Sequence, residues 1–168
     1  MTVDLTPETL VEIHRIERVK YAYLRCLDQK RWDDLADLLT ADVEATYSGG
    51  ANSFSGRDAV MEFLRRTMGA VTFHSSHHCH HPEIDLVAPD RAEATWALED
   101  TVLLLDLDLV VRGAAFYHDT YVKRDGRWLI AATGYQRIWE ELAPRSSVEG
   151  LQLTASWWTT GGRSSLSA

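Results

Sequence analysis

Apolar residues recur at helical spacing through the first part of the chain. Thr6 precedes a proline at the first helical position, which is typical of a helix start. The positions that follow at intervals of three and four form one apolar face: Leu10, Ile13, Ile16, Val19, Tyr23 and Leu27. The pattern predicts a long amphipathic helix that ends near Asp28.

Shorter elements are predicted next. A second short helix has an apolar face made of Trp32, Leu35, Leu38 and Leu39. Residues 43–47 alternate between apolar and polar types, which predicts a strand that runs to a turn at residues 48–50. Ser55 is expected to cap a third helix over residues 57–68, because apolar positions recur there at helical spacing.

From residue 73 onward the apolar period changes from about 3.6 residues to 2. Four long strands are predicted, at residues 73–87, 91–105, 109–123 and 127–139, joined by short turns. Helices followed by an antiparallel meander indicate an α+β fold, a cone-shaped α+β barrel with N-terminal helices packed on a curved, mostly antiparallel sheet. The inside of such a cone is a pocket.

Alternation also predicts which side chains of the last three strands face inward. The apolar phase contains Ala92, Ala94, Trp96, Leu98, Val102, Val111, Gly113, Ala115, Tyr117, Tyr121, Trp128, Ile130, Ala132 and Ile138. Several of these residues are small, so either the helices approach the sheet closely or a cavity remains. Asp100 shares the inward phase, where a carboxylate is costly unless it is paired or faces a cavity.

Five of the seven histidines lie within residues 74–81. On a strand His77, Cys79 and His81 share one face, whereas His74, Ser76, His78 and His80 share the other. Three interpretations stay open: solvated residues on an exposed face, zinc ligands, or one inward histidine that acts as a general base. A zinc site lacks a full ligand set, because both cysteines are single and no C-x-x-C or H-E-x-x-H motif occurs.

Composition narrows the classes of function. A chain of 168 residues fits one domain, expected over residues 1–144, and the loop-like residues 145–168 are expected to form a C-terminal tail. Two cysteines, no long apolar run and no charged-then-apolar leader favour a soluble, reduced, cytoplasmic protein without a membrane partner. A net charge of -8 disfavours nucleic acid as a partner. The Trp157-Trp158 pair is expected to dock over a cavity mouth or a neighbouring subunit.

Three motifs make the chain resemble a known family. They are Cys26-Leu-Asp-Gln-Lys-Arg-Trp32 at the end of the first helix, His77 with Pro82-Glu-Ile84, and Tyr117-x-Asp-x-Tyr121 running into Lys123-Arg-Asp-Gly-Arg-Trp128. With the order of elements, they resemble the SnoaL-like branch of the NTF2-like (cystatin-like) superfamily over about residues 8–141. Within this branch the chain is similar to the hexachlorocyclohexane dehydrochlorinases and scytalone dehydratases, which use an Asp-His pair in a cone-shaped cavity and no cofactor.

The resemblance implies roles for particular residues. Their catalytic aspartate falls on Asp28 and their histidine on His77, with no metal and no cofactor; His77 would be the general base and Asp28 would orient it. Residues predicted to contact the substrate are Tyr23, Tyr47, Trp96 and Tyr117. The positions that align with auxiliary basic side chains of the dehydrochlorinases hold Tyr23 and Thr133, which favours loss or migration of an oxygen function over loss of halide.

The resemblance therefore implies a dehydratase-like lyase or an isomerase that acts on a small hydrophobic, cyclic, polyketide-like or steroid-like molecule. A non-catalytic ligand-binding module and a structural oligomer subunit remain open, because fold alone does not establish catalysis. The outward phase mixes polar residues such as Arg137 with large apolar ones: Leu103, Leu105, Phe116, Leu129 and Tyr135. An apolar face of this kind predicts a homo-oligomer, dimer or trimer, built on the convex sheet.

Overall fold

The computed structural model describes residues 6–166 and places six strands in one sheet, in the order β2-β1-β6-β5-β4-β3. The strands are β1 (Leu39–Tyr47), β2 (Asn52–Ser55), β3 (Phe73–Ala88), β4 (Arg91–Leu104), β5 (Leu109–Arg124) and β6 (Arg127–Pro144). The helices are α1 (Pro7–Asp28), α2 (Trp32–Ala36), α3 (Arg57–Met68) and α4 (Trp157–Thr160). Neighbouring strands are antiparallel except β1 and β6, which are parallel. The predicted α+β class, with helices on a mostly antiparallel curved sheet, is confirmed.

The start of α1 is formed as predicted, whereas the start of α3 is not. Thr6 Oγ1 accepts a hydrogen bond from the Thr9 backbone N–H at 3.3 Å, which caps α1. Ser55 does not cap α3. It ends β2, a strand too short for its alternation to be recognised, and its hydroxyl donates to Glu44 at 2.6 Å. Gly56, at φ 88°, occupies the N-cap position instead.

Two β-bulges in β6 change the inward and outward phases. Tyr121 pairs with Ile130 and Thr120 with Ala132, so Ala131 is an extra residue. A second irregularity at Ile138 separates the pairs Ala115–Arg137 and Ala114–Trp139. Each extra residue moves the following side chains to the opposite face of the sheet.

The bulges overturn part of the predicted phase. Ile138, expected to face inward, is 60% exposed, and Thr133 rather than Ala132 is buried next to Ile130. Tyr135 and Arg137, expected on the convex face, line the interior cavity instead. The predicted inward phase of β4 is confirmed from Ala92 to Asp100, and that of β5 from Gly113 to Tyr121, because neither strand contributes an extra residue there.

A similar irregularity interrupts β3. The pairing with β4 shifts between His80 and Glu83, and His81 has a φ of 47°. His81 is therefore exposed, although strict alternation predicted that it shares a face with His77.

A buried ion pair joins α1 to the inner face of the sheet. Lys20 Nζ lies 2.7 Å from Asp119 Oδ2, and both side chains are 0% exposed. The Asp119 carboxylate also accepts hydrogen bonds from the hydroxyls of Tyr121, at 2.8 Å, and Thr133, at 2.7 Å. Lys20 Nζ sits 3.4 Å from the centroid of the Tyr117 ring. Helix α1 is thus held to β5 and β6 by a charged group with several partners.

The C-terminal tail contacts the domain at its start, where the Ser146 backbone N–H donates to Asp108 at 3.3 Å, and again through an indole in α4. The ring of Trp158, in α4, lies 4.9 Å from Lys30 Nζ, and the same ammonium group donates to the Phe73 carbonyl at 2.8 Å. Docking of the tail over the cavity or a neighbouring subunit stays a prediction. Across residues 6–166, none of the helices combines the length and the hydropathy that a membrane crossing requires.

Replacing Lys20 alone is expected to destabilise the protein strongly. Lys20→Met leaves the Asp119 carboxylate buried without its cation, which costs about 3–5 kcal/mol of unfolding free energy. The double variant Lys20→Met/Asp119→Asn removes both charges, so its loss should be smaller than the sum of the two single losses. Urea unfolding followed by circular dichroism measures the unfolding free energies of the two single variants and of the double variant.

The matched control is Arg31→Met, because the ion pair of Arg31 with Asp34 has both side chains about half exposed. This change should alter the unfolding free energy by no more than about 1 kcal/mol. Strict additivity of the Lys20 and Asp119 changes would contradict the prediction.

Candidate active site

A cavity of about 200 Å³ opens between the helices and the inner face of the sheet. Its wall is mainly aromatic and contains Tyr23, Tyr47, Phe63, Phe73, Tyr117 and Tyr135. Three ionisable side chains other than tyrosine also line it: His77, Asp100 and Arg137. Few polar groups on a largely apolar wall are typical of a small-molecule site.

Asp28 and His77 meet at one side of this cavity. Nδ1 of His77 lies 2.6 Å from Asp28 Oδ1, and the His77 backbone N–H donates to Oδ2 at 3.0 Å. The predicted hydrogen-bond contact between the two side chains is confirmed. Because an ionised carboxylate can only accept, Nδ1 carries the proton of the neutral imidazole and Nε2 keeps a lone pair. No residue in the range 6–166 forms a hydrogen bond with Nε2.

The local fold explains how the pair is held. Asp28 is the last residue of α1, and Ser75 and His77 lie two residues apart on β3, so their side chains share a face. The Ser75 hydroxyl donates to Asp28 Oδ1 at 2.8 Å. The carboxylate therefore has three donors from one strand, which fix its orientation before any substrate binds.

These donors also determine the charge of Asp28. Burial raises the pKa of the carboxyl group, but the hydrogen bonds from the His77 ring, its backbone N–H and Ser75 outweigh it, so that the net pKa is lowered from the usual 3.8. Asp28 is consequently ionised at neutral pH. It can stabilise positive charge on His77.

Tyrosine hydroxyls form a second polar group in the cavity. The Tyr23 and Tyr47 hydroxyls lie 3.4 Å apart. Burial raises the pKa of Tyr47 to about 12 and the pKa values of Tyr23 and Tyr117 well above their ordinary value. All three phenols therefore keep their protons at neutral pH and can donate hydrogen bonds to a substrate oxygen.

Trp96 is the predicted contact residue that the structure does not bring to the cavity. It is fully buried and is absent from the cavity wall, and its ring packs edge-on against Tyr21 of α1 at 6.2 Å. Alternation placed Trp96 correctly on the inner face, but it cannot distinguish a position under a helix from one under the cavity. Its position gives no support to a substrate contact.

Sequence reasoning missed the partner of Asp100. Both carboxylate oxygens of Asp100 accept hydrogen bonds from Arg137, with 2.9 Å between Nη2 and Oδ2. The costly inward position of Asp100 was a signal for a cationic partner, but the bulges hid which residue supplies it. Gly113 leaves room for the guanidinium: a Cβ atom there would lie 2.6 Å from Arg137 Nη1 and 2.9 Å from the Trp139 carbonyl oxygen.

The position of Arg137 bears on the expectation that loss of halide is disfavoured. Tyr23 lines the cavity and Thr133 binds Asp119, so neither aligned position supplies a basic group. The cavity nevertheless contains a cation, at a different position of β6. The absence of charge at the two aligned positions therefore no longer disfavours halide as a leaving group.

The other histidines of β3 lie outside the cavity. His78 and His80 are exposed, their rings stack at 6.3 Å, and His81 lies beside His80. The predicted outward orientation of His78 and His80 is confirmed. In the described part of the chain, no three His, Cys, Asp or Glu side chains are arranged to hold a metal ion.

The chain is similar to known proteins in both family and fold. A model described as a SnoaL-like domain matches residues 8–133. The chain is similar to a protein from Novosphingobium aromaticivorans DSM 12444 provisionally described as a scytalone dehydratase, with 27% identity and a TM-score of 0.75 over 82% of this chain and 91% of that one.

Two further solved structures show the same fold at lower identity. The hexachlorocyclohexane dehydrochlorinase LinA-type3 from Novosphingobium barchaimii LL02 is 16% identical, with a TM-score of 0.74 over 88% of this chain and 97% of that one. A variant of Rv3472, a protein of unknown function from Mycobacterium tuberculosis, is 22% identical, with a TM-score of 0.67 over 82% of this chain and 78% of that one.

The contribution of Asp28 to stability should depend on pH. Its pKa is lower in the folded protein than in the unfolded chain, so its stabilisation is present at neutral pH and is lost as pH falls through the folded value. Asp28→Asn should lower the unfolding free energy at pH 7 by about 1–3 kcal/mol. The difference from the wild type should shrink below about pH 3.8. Urea unfolding at a series of pH values measures it.

Asp37→Asn is a suitable control because Asp37 is exposed beside α2. Its effect should stay within about 0.5 kcal/mol. A difference between wild type and Asp28→Asn that is constant from pH 7 to acid would contradict the assignment.

Proposed function

Since the chain belongs to the SnoaL-like family, whose model matches residues 8–133, we propose that it is a cofactor-independent lyase or isomerase. The family predicted from sequence motifs is thus confirmed, whereas the activity is a proposal. The observation that carries it is the 2.6 Å contact between Asp28 and His77 on the wall of a largely apolar cavity. The similarity to the protein provisionally described as a scytalone dehydratase supports a dehydratase-like reaction.

The first step is removal of a proton from a carbon next to a carbonyl group. The lone pair of His77 Nε2 takes the proton, and the electron pair of the broken C–H bond forms the C=C bond of an enolate. The imidazolium ion is stabilised by the Asp28 carboxylate, which also prevents the ring from turning. Positive charge in an apolar cavity would be costly without this partner.

The second step returns the proton. In a lyase, His77 gives it to a hydroxyl group on the neighbouring carbon: the C=O bond re-forms, the C=C pair of the enolate makes the new double bond, and the C–O bond breaks as water leaves. In an isomerase, the C=O bond re-forms as the proton returns to a different carbon. The hydroxyls of Tyr23, Tyr47 and Tyr117 can hold the substrate oxygens during either step, because their raised pKa values keep them protonated. Both routes restore the starting enzyme.

The size of the cavity narrows the substrate class. A volume of about 200 Å³ is smaller than the range of about 300–1,000 Å³ that is usual for drug-sized ligands. The aromatic wall suits a ring. We therefore favour a small cyclic, polyketide-like molecule over a steroid-like one.

Turnover should depend on His77 and not on its neighbour. Against a panel of cyclic β-hydroxy ketones, His77→Gln should lower kcat/KM by about 10² to 10⁴, because the general base is lost. His78→Gln is the matched control, since His78 is exposed on the opposite face of the same strand. Elimination is followed by ultraviolet absorbance, and exchange of the α-proton with deuterium by NMR.

The possible outcomes distinguish an enzyme from a non-catalytic binding module. Loss of exchange in His77→Gln with full activity in His78→Gln supports the proposal. Ligands that bind the wild type without exchange or turnover on any member of the panel would favour a non-catalytic binding protein. Equal activity of both variants would remove His77 from the mechanism.

We also propose that the protein is a homo-oligomer through the convex sheet. Phe116 and Trp139 are 41% and 48% exposed there, because each lies in the phase opposite to the cavity. Tyr135 no longer belongs to this patch. Light scattering should report a dimer or trimer, and Phe116→Glu/Trp139→Glu should reduce the mass. A wild-type mass of 19.0 kDa at micromolar concentration would contradict the proposal.

A further inference from the structure

We propose that Arg137 is the group that binds the substrate's carbonyl oxygen and stabilises the oxyanion formed when His77 removes the proton. This inference rests on the proposed function and adds a substrate class to it: neutral carbonyl compounds, rather than carboxylates.

The register of the sheet places Arg137 near the reacting atoms. Asp100 of β4 is the cross-strand partner of His77 of β3, and such partners have Cβ atoms about 4.5–5.5 Å apart on the same face. The guanidinium group of Arg137 binds both oxygens of Asp100. It therefore lies one side chain away from His77, and all three residues line the same cavity.

The guanidinium group is held in a fixed position. Besides the two hydrogen bonds to Asp100, its central carbon lies 5.1 Å from the centroid of the Tyr135 ring, and the side chain is 22% exposed. Gly113 provides the space that the group occupies. Donors that are oriented before the reaction stabilise developing charge most effectively, because they need no reorganisation.

Arg137 has donors left for a substrate. A guanidinium group carries five N–H donors, and among residues 6–166 Asp100 accepts two of them. Nε lies 3.1 Å from Glu140 Oε2, but without the alignment of a hydrogen bond. The second N–H of each Nη has no protein acceptor in the described chain, so it can donate to an oxygen in the cavity.

The charges around the cavity match the enolate rather than an anionic substrate. With neutral His77, Asp28, Asp100 and Glu140 contribute −1 each and Arg137 and Lys30 contribute +1 each, which sums to −1, so a carboxylate is repelled. When the C–H bond breaks, the proton goes to His77 Nε2 and the carbonyl π pair moves to the oxygen. The new oxyanion then lies between the imidazolium and Arg137. The site is thus complementary to the state formed by proton transfer.

A purely structural role is the competing explanation, in which Arg137 only neutralises the buried Asp100. The double variant Asp100→Asn/Arg137→Met distinguishes this structural role from the oxyanion-binding role. It removes both charges, so a structural role predicts recovery of function, whereas an oxyanion-binding role predicts that the defect of Arg137→Met persists.

The test uses 4-nitrophenol as an enol analogue, because its ionised form absorbs in the visible. At a pH where the free probe is mostly neutral, the wild type should bind it as the phenolate: the O–H bond breaks, the pair stays on oxygen and the proton goes to His77. Arg137→Met and the double variant should bind it about 10- to 100-fold more weakly and lose the visible band. Arg112→Met, an exposed arginine on β5, is the control and should behave as the wild type.

Each result bears on a different proposal. The proposed role of Arg137 is wrong if Arg137→Met binds and ionises 4-nitrophenol as the wild type does, or if the double variant recovers this binding and ionisation. This holds even if His77→Gln abolishes ionisation and turnover. Ionisation and turnover that survive in His77→Gln would instead refute the proposed function. Circular dichroism and thermal unfolding of each variant show that it is folded.

Discussion

The carboxylate of Asp119 is the point on which the arrangement of the cavity depends. It accepts hydrogen bonds from the ammonium group of Lys20 on α1 and from the hydroxyl groups of Tyr121 on β5 and Thr133 on β6. A buried charge tolerates little displacement of its partners, because any loss of contact leaves it unpaired. Helix α1 is therefore fixed in register on the sheet. The same helix ends at Asp28, so this buried pair also sets where the Asp28 carboxylate meets β3.

Two further acid–base pairs lie at the cavity, and each joins an acid to a base from a different element. Asp28 accepts a hydrogen bond from the His77 ring, whereas Arg137 keeps its positive charge, because the hydrogen bonds to Asp100 raise the pKa of the guanidinium group. Both acids hold their bases in position. Under the proposed function, the cavity combines a group that takes up a proton with one that holds the resulting negative charge, and neither requires a large conformational change.

Much of this architecture could be predicted from the sequence, because its elements have strong periodicity. The limits of α1, the four long strands, the inward phases of β4 and β5 and the Asp28–His77 contact all follow from spacing and resemblance. Strand β2 was too short to be recognised. The buried Lys20 was also overlooked, although it lies on the same helical face as Ile16, Tyr23 and Leu27.

Strict alternation of side chains along a strand could not predict the positions of the β-bulges, where the chain departs from that alternation. The bulges at Ala131 and Ile138 leave no clear signal in the sequence, since neither residue is a glycine or a proline. Their effect is large: the bulge at Ala131 places Tyr135 and Arg137 inside, and the bulge at Ile138 returns Trp139 to the convex face. Bulges concentrate at functional sites because they redirect one side chain without changing the fold. An unbroken β6 would have put Arg137 on the outer face and left Asp100 as an unpaired buried charge beside His77, so the irregularity of the strand is what makes the charged cavity possible.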